Sequence, residues 1–288
     1  MDELTRLRER HASLSELRDL FRAMRGIAAS QMQNALSALD GVRRYAGTVE
    51  AALHACNASS LPVADHANRD GAGKSVRIVF FSEHGFVGAM NDSLLEKISG
   101  DADRDLILIG RRGAALALEH GVEPADILEM TTHVEGVVTL ARQLAERAGR
   151  FEQVDLLYVL TKRGGVQEIT EQRILPFVPG QGDPGQGAPG QGDAAERQAA
   201  PAEPFDPLIQ LPPAILAERL VREYVFVELA RAGTEALASE CAARLRVMEA
   251  AEHNAGDKLT ALIREEQQSR QNTITSELLD VVAGSLAQ

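Results

Sequence analysis

Residues 234–262 read TEALASECAARLRVMEAAEHNAGDKLTAL, and their spacing decides what a large part of the chain is. Apolar or small residues stand at Thr234, Leu237, Cys241, Leu245, Met248, Ala251, Ala255, Leu259 and Leu262. Eight steps cover 28 residues, a mean of 3.5, which is the period of a left-handed supercoil. The seam is narrow and rich in alanine, so it asks for one slender partner helix rather than a broad core. The pattern resumes at Ile274, Leu278 and Val281 beyond the polar stretch 264–273 (REEQQSRQNT). The far end of this helix is therefore predicted to outrun its partner.

The partner is at the other end of the chain. Leu14, Leu17, Phe21, Met24, Ala28, Met32, Leu36, Leu39, Val42, Ala46, Val49 and Leu53 form a second stripe in steps of three and four. All 11 prolines lie between Pro62 and Pro213, leaving both ends free of a residue that costs about 3 kcal/mol inside a helix. As one helix, residues 214–286 would measure roughly 110 Å at 1.5 Å per residue, longer than a globular domain needs. Such composition excludes an all-β protein and a collagen-like or disordered chain.

The proline-bearing middle has a different pattern. VRIVFF (76–81), LILI (106–109) and VDLLYVL (154–160) are continuous apolar runs of the kind found in parallel strands covered on both faces. Helical patterns at 92–99 and 136–149 alternate with them, and further strands are expected around 168–178 and 206–211. The repeats PGQGDPGQGAPGQGD (179–193) and the polar stretch after them cannot bury a core and read as a flexible insert over 179–204. The expected fold is α/β, a long antiparallel coiled coil of N- and C-terminal helices plus a Rossmann-like α/β domain. Its parts are an N-terminal helix over 1–58, an α/β domain over 74–211 and a C-terminal helix over 212–288 that pairs with the first.

The chain carries 30 basic and 42 acidic side chains, a net charge of −12. Residues 1–55 are nearly neutral, with 8 basic and 7 acidic groups, so the acidity lies mainly in the middle. This argues against general binding to nucleic-acid backbones. Two cysteines, Cys56 and Cys241, are too few for a disulfide framework and form no metal-ligand pair, which suits a reducing compartment. The N-terminal MDELTRLRERHASL has no apolar core for a signal peptide, and no apolar run approaches the 18 residues of a membrane span.

Four apparent motifs carry no chemistry on this reading. Gly73-Lys74-Ser75 resembles the end of a phosphate loop, but Asn68 stands where the first glycine belongs and the strand follows the motif. Gly85-Phe86-Val87-Gly88 lies between a strand and a helix, a context that presents backbone amides to an anion, yet it lacks the three glycines of a dinucleotide fingerprint. A tight turn capped by Asn91 or Asp92 is expected there instead. The seven histidines show no metal-binding spacing. Glu83-His84 has the composition of an acid/base pair, but neighbours on an extended chain point to opposite faces, so a surface loop is expected.

Taken together, several stretches resemble the gamma subunit of F-type ATP synthases. The last helix carries Ala238-Ser239-Glu240-Cys241-Ala242-Ala243-Arg244, then Met248 and Asn254-Ala255. It ends with Arg270-Gln271-Asn272-Thr273-Ile274-Thr275-Ser276-Glu277-Leu278 and Val281-Val282-Ala283-Gly284. These are similar to the family pattern SExAAR…M…NA…RQxxITxEL…IVxGA. Phe21-Arg22-Ala23-Met24 and Ile27-Ala28-Ala29-Ser30-Gln31-Met32 resemble ITKAM…VAASKM, and Ser82-Glu83-His84-Gly85-Phe86-Val87-Gly88-Ala89-Met90-Asn91 resembles SDRGLCGGxN. Departures are Gln31 for a lysine, His11 for an apolar residue, GFVGA for GLCGG, and the PGQG insert.

The resemblance implies a non-catalytic central-stalk rotor without a cofactor, in a divergent bacterial complex that is proton- or sodium-linked. Implied partners are the alpha and beta subunits of the catalytic ring, the epsilon subunit and the membrane c-ring. The location would be peripheral, on the cytoplasmic face of the inner membrane and held there only through partners. By matching positions, Arg22, Met24 and Arg25 would face the acidic lever loop of beta. Arg270, Gln271, Thr275 and Glu277 would meet the upper ring. Read without the resemblance, the same chain also suits a Rossmann-like enzyme with a coiled-coil dimerisation hairpin, or a coiled-coil adaptor.

Overall fold

A computed structural model describes residues 2–56, 74–100, 104–162, 166–177 and 210–286. The insert over 179–204 and most of the expected strand at 206–211 lie outside the described residues. Two helices bracket the chain as the proline-free ends require: α1, Asp2–Ala55, and α5, Pro213–Leu286, of 54 and 74 residues. Helix α5 opens with proline at its first position, where the lost N–H would have had no helical acceptor. The carbonyl of Pro212 takes the first bonds, from the N–H groups of Ile215 and Leu216 at 3.0 and 3.1 Å.

Between them lie β1 (Ser75–Phe80), α2 (Met90–Ile98), β2 (Asp105–Ile109), α3 (Arg111–Glu119), β3 (Asp126–Leu128), α4 (Val134–Ala148), β4 (Gln153–Thr161) and β5 (Gln167–Leu175). The sheet order is β3-β2-β1-β4-β5; β1 pairs in parallel with β2 and β4, β2 with β3, and β5 closes the sheet antiparallel to β4. The chain winds outward through β1, β2 and β3, then α4 returns it to the far side of β1. The crossovers place α2 and α3 on one face and α4 on the other.

The burial confirms those layers. On one face Val79, Phe81, Leu106 and Leu108 pack with Leu94, Leu95 and Ile98 of α2 and Ala114 and Ala117 of α3. On the other, Ile78, Phe80, Ile107, Leu156 and Tyr158 pack with Leu140 and Leu144 of α4 and with α5. Strand β3 and helix α3 were not foreseen. Three residues are too few to show a strand pattern. Helix α3 opens after Gly110, whose φ of +99° suits glycine and whose Cβ position lies 2.5 Å from the carbonyl oxygen of Phe81.

The chain divides into two compact units, and the division falls inside both long helices. The larger unit, Ser30–Ala243, contains the sheet together with the inner parts of α1 and α5. Every residue from Val227 to Ala243 is buried, so this stretch of α5 is covered all round rather than along one stripe. Helix α1 contributes Ala35, Leu39, Ala46, Val49 and Leu53 to the interior. The expected stripe had run through Leu36, which is exposed; the true 3.5-residue seam passes through Ala35. The crowded interior takes the small Ala35 and leaves the larger Leu36 outside.

The smaller unit contains Met1–Ala29 and Arg244–Gln288. Its two helix segments run antiparallel in a fixed register. Arg8 pairs with Glu266 at 2.9 Å and Arg22 with Glu252 at 2.9 Å, so fourteen residues separate the pairs on each helix. Fourteen residues are two heptads, which is the register a coiled coil preserves. Ala28, Met248, Ala255 and Leu259 are buried along the seam, with Leu14, Phe21, Met24 and Leu262 half-buried. Leu17, expected in this stripe, is exposed. Ile274 and Leu278 are exposed as well, in keeping with a helix end that outruns its partner.

Candidate partner-contact surfaces

No group of three histidine, cysteine, aspartate or glutamate side chains is placed to hold a metal ion among the described residues. The surfaces of interest are on the long helices. On α1, Arg22 and Arg25 stand three residues apart and share one carboxylate. The Nε of Arg22 donates to Glu252 at 2.9 Å, and a terminal nitrogen of Arg25 lies 2.9 Å from the other Glu252 oxygen. Glu252 is nearly covered, with 14% of its side chain exposed, whereas Arg22 and Arg25 keep 56% and 41%. Asp19 lies 3.7 Å from Arg22. Met24, between the arginines in sequence, turns toward the seam and is half-buried.

On α5, Arg270, Gln271 and Thr275 are all exposed. The hydroxyl of Thr275 donates to the carbonyl of Gln271 at 2.9 Å, as Thr273 does to Ser269 at 3.0 Å. Such bonds keep hydroxyl groups against the helix and leave the neighbouring long polar side chains outward. Glu277 belongs to α5, but its side chain lies outside the described residues. Ile274, Leu278, Leu279 and Val282 are exposed among these polar groups.

The α/β unit corrects two expectations. Glu83, expected in a surface loop, is buried, and its carboxylate accepts the N–H groups of Arg111 at 3.1 Å and Met130 at 2.9 Å. It also accepts the Arg111 guanidinium, which it holds above the usual arginine range by that hydrogen bond and its charge. Glu83 thus ties the end of β1 to the residues following β2 and β3. A buried carboxylate needs such donors, and the short motif Glu83-His84 gave no sign of them. The turn before α2 is also not capped by Asn91 or Asp92; Ala89 is the N-cap, with no side-chain bond. Asn91 reaches back instead, accepting the N–H of Ser82 at 3.1 Å and donating to its hydroxyl at 2.8 Å.

The crevice at the carboxyl ends of β1 and β4, where the winding reverses, is where open α/β sheets receive ligands. Here α5 enters it. Glu240 accepts the backbone N–H groups of Glu83 and His84, both at 3.2 Å. Ser239 accepts from Thr161 at 3.0 Å, and its carbonyl accepts from Gln167 at 3.1 Å. Two backbone amides just after β1, those of Glu83 and His84, therefore meet the chain's own carboxylate. Nearer the start of α5, Glu228 and Arg231 pair in the interior at 2.5 Å, with Gln172 bonded to both at 2.6 and 2.8 Å. Neither Glu240 nor Glu252 was singled out in the sequence, because their partners lie more than 150 residues away.

The chain matches the family model described as ATP synthase over residues 3–287. It is 30% identical over 309 residues to the ATP synthase gamma chain of Rhizorhabdus wittichii, covering 100% of both chains. It is 27% identical over 334 residues to that of Sorangium cellulosum, covering 100% of this chain and 99% of the other. Among solved structures, a rotor chain of the Euglena gracilis mitochondrial ATP synthase has a similar fold, with a TM-score of 0.62 at 13% identity over 95% of this chain and 99% of that one. A chain from the central stalk and c-ring of the Tetrahymena thermophila mitochondrial enzyme gives 0.55 at 18% identity, over 81% and 99%. By a family match along almost its whole length and a full-length relative at 30% identity, the chain belongs to the ATP synthase gamma-subunit family.

Proposed function

We propose that the paired helices of this non-catalytic central-stalk subunit turn inside a ring of alpha and beta subunits and couple ion flow to ATP synthesis or hydrolysis. An asymmetric helix pair makes different contacts with each beta subunit, so its orientation favours a different conformation at each catalytic site. A rotor shifts those equilibria only through such differential contacts. The α/β unit is assigned to the membrane side, against epsilon and the c-ring. Association with the bacterial inner membrane on its cytoplasmic face is through those partners, and no described helix is long and apolar enough to cross a membrane.

The observation that carries this reading is the combination of a fixed heptad register between the two helices with charged groups left open beside it. Arg22 and Arg25 are assigned to an acidic lever loop of beta, with Met24 packed behind them. Arg270, Gln271, Thr275 and Glu277 are assigned to polar contacts with the upper ring. Co-expression of the tagged chain with its alpha and beta subunits tests the assignment. Stoichiometric co-purification of both is expected, and recovery of the tagged chain without them would overturn it.

A further inference from the structure

Arg22 and Arg25 lie on the same side of α1, less than one turn apart, where two like charges repel and two long side chains would otherwise sample many rotamers. Glu252, from the other helix, accepts a hydrogen bond from Arg22 at 2.9 Å on one carboxylate oxygen. The other oxygen lies 2.9 Å from an Arg25 nitrogen as an ion pair without hydrogen-bond alignment. Its own side chain is largely covered, so the carboxylate is anchored, while the guanidinium groups remain about half open to solvent. Each guanidinium has five N–H donors in a rigid fork, and one contact with Glu252 leaves the others available. Arg18, Arg22 and Arg25 stand against Glu252 and Asp19, so three cations face two carboxylates and the cluster keeps a net positive charge before any partner arrives.

We infer that Glu252 is a positioning residue, holding Arg22 and Arg25 as a preset cationic pair for a carboxylate-rich segment of the beta subunit. The inference rests on the proposed contact between this part of α1 and an acidic loop, and adds what orients the arginines. Preorganised forks lose less side-chain freedom on binding than free ones, and bidentate charge-assisted bonds depend on angle as well as distance. Glu252 thus acts through the arginines, without touching the partner.

The test uses the assembled complex in sealed vesicles, comparing Glu252→Gln, Glu252→Asp, Arg22→Ala/Arg25→Ala and Arg22→Ala/Arg25→Ala/Glu252→Gln. Subunit recovery, ATP hydrolysis and ion pumping per ATP are measured for each. Glu252→Gln should leave recovery and hydrolysis within about twofold while lowering pumping per ATP by about threefold or more, with partial rescue in Glu252→Asp. In the double-alanine background, Glu252→Gln should add no further loss, because no arginines remain to be placed. Normal pumping per ATP in Glu252→Gln, with uncoupling in the double-alanine variant, would overturn the positioning role and leave the contact standing. Normal pumping in the double-alanine variant would overturn both. Loss of assembly in both Glu252 variants, or a further loss in the triple variant, would assign Glu252 to helix pairing and overturn the inference.

Discussion

The carboxylate of Glu240 on α5 receives the backbone N–H of Glu83 at the end of β1, at a distance of 3.2 Å, and its other oxygen takes His84. A helix side chain thereby fills a place that related sheet architectures keep open for ligands, and α5 is fastened to the strand that starts the sheet. Glu240→Ala leaves both N–H groups without this acceptor and should destabilise the chain by about 2–4 kcal/mol. Glu240→Gln retains one carbonyl oxygen and should lose about half as much. Urea unfolding of the purified chain checks both. Equal stability of Glu240→Ala and the parent would show that the contact contributes nothing.

Tyr224 adds a pH dependence. Burial, followed by the charge of nearby Glu228, raises its hydroxyl well above the usual tyrosine range. A folded-state pKa above the unfolded one means that the folded chain keeps its proton where the unfolded chain releases it. The associated stability is therefore complete below about pH 10 and declines as pH rises from there toward the folded value, by up to about 1.4 kcal/mol per pH unit. Tyr224→Phe should flatten that decline, as followed by unfolding midpoints between neutral pH and alkaline solution. An unchanged alkaline slope would assign the effect to other groups.

Met24 is half-buried beside the seam, between two arginines that are already committed to one carboxylate. Met24→Lys adds a third positive charge within one helical turn and competes for Glu252. Pumping per ATP should fall several-fold, while subunit recovery stays within about twofold of the parent. Unchanged coupling in vesicles would remove Met24 from the lever contact.

At the other end of the smaller unit, Arg270 and Gln271 are exposed on a helix stretch with little apolar content. Replacing both with alanine should barely change the stability of the chain, by about 0.5 kcal/mol or less, since exposed surface substitutions seldom do more. ATPase activity of the assembled complex should nevertheless fall about tenfold, as expected when charge-assisted contacts with the ring are lost. Full activity would sink the assignment of these residues to the upper ring.

The helices were legible because their signals are long and local. The 3.5-residue repeat from Thr234 to Leu262 and the absence of proline specify α5 without reference to any other segment. Dense apolar runs did the same for β1, β2 and β4. Reading failed where side-chain size or distant partners decide the outcome. Leu36 and Ala35 are neighbours in sequence, and only the surrounding density selects the alanine. Glu83 looks like an ordinary loop acid until Met130 and Arg111 are brought to it. The arginines of the candidate contact were found by resemblance, but their common anchor, Glu252, becomes visible only once the helix register is known. Glu240 lay within a quoted motif without any sign of its structural task.

Direct observation of rotation tests whether the helix pair turns within the ring. The complex of this chain with alpha and beta subunits is immobilised through the ring, and a reporter is fixed to the exposed surface of the α/β unit. With ATP supplied, the reporter should turn continuously in one direction, and a cross-link between the chain and the ring should stop both turning and sustained hydrolysis. A reporter that stays fixed during full-rate hydrolysis, or hydrolysis undiminished by the cross-link, would contradict the account.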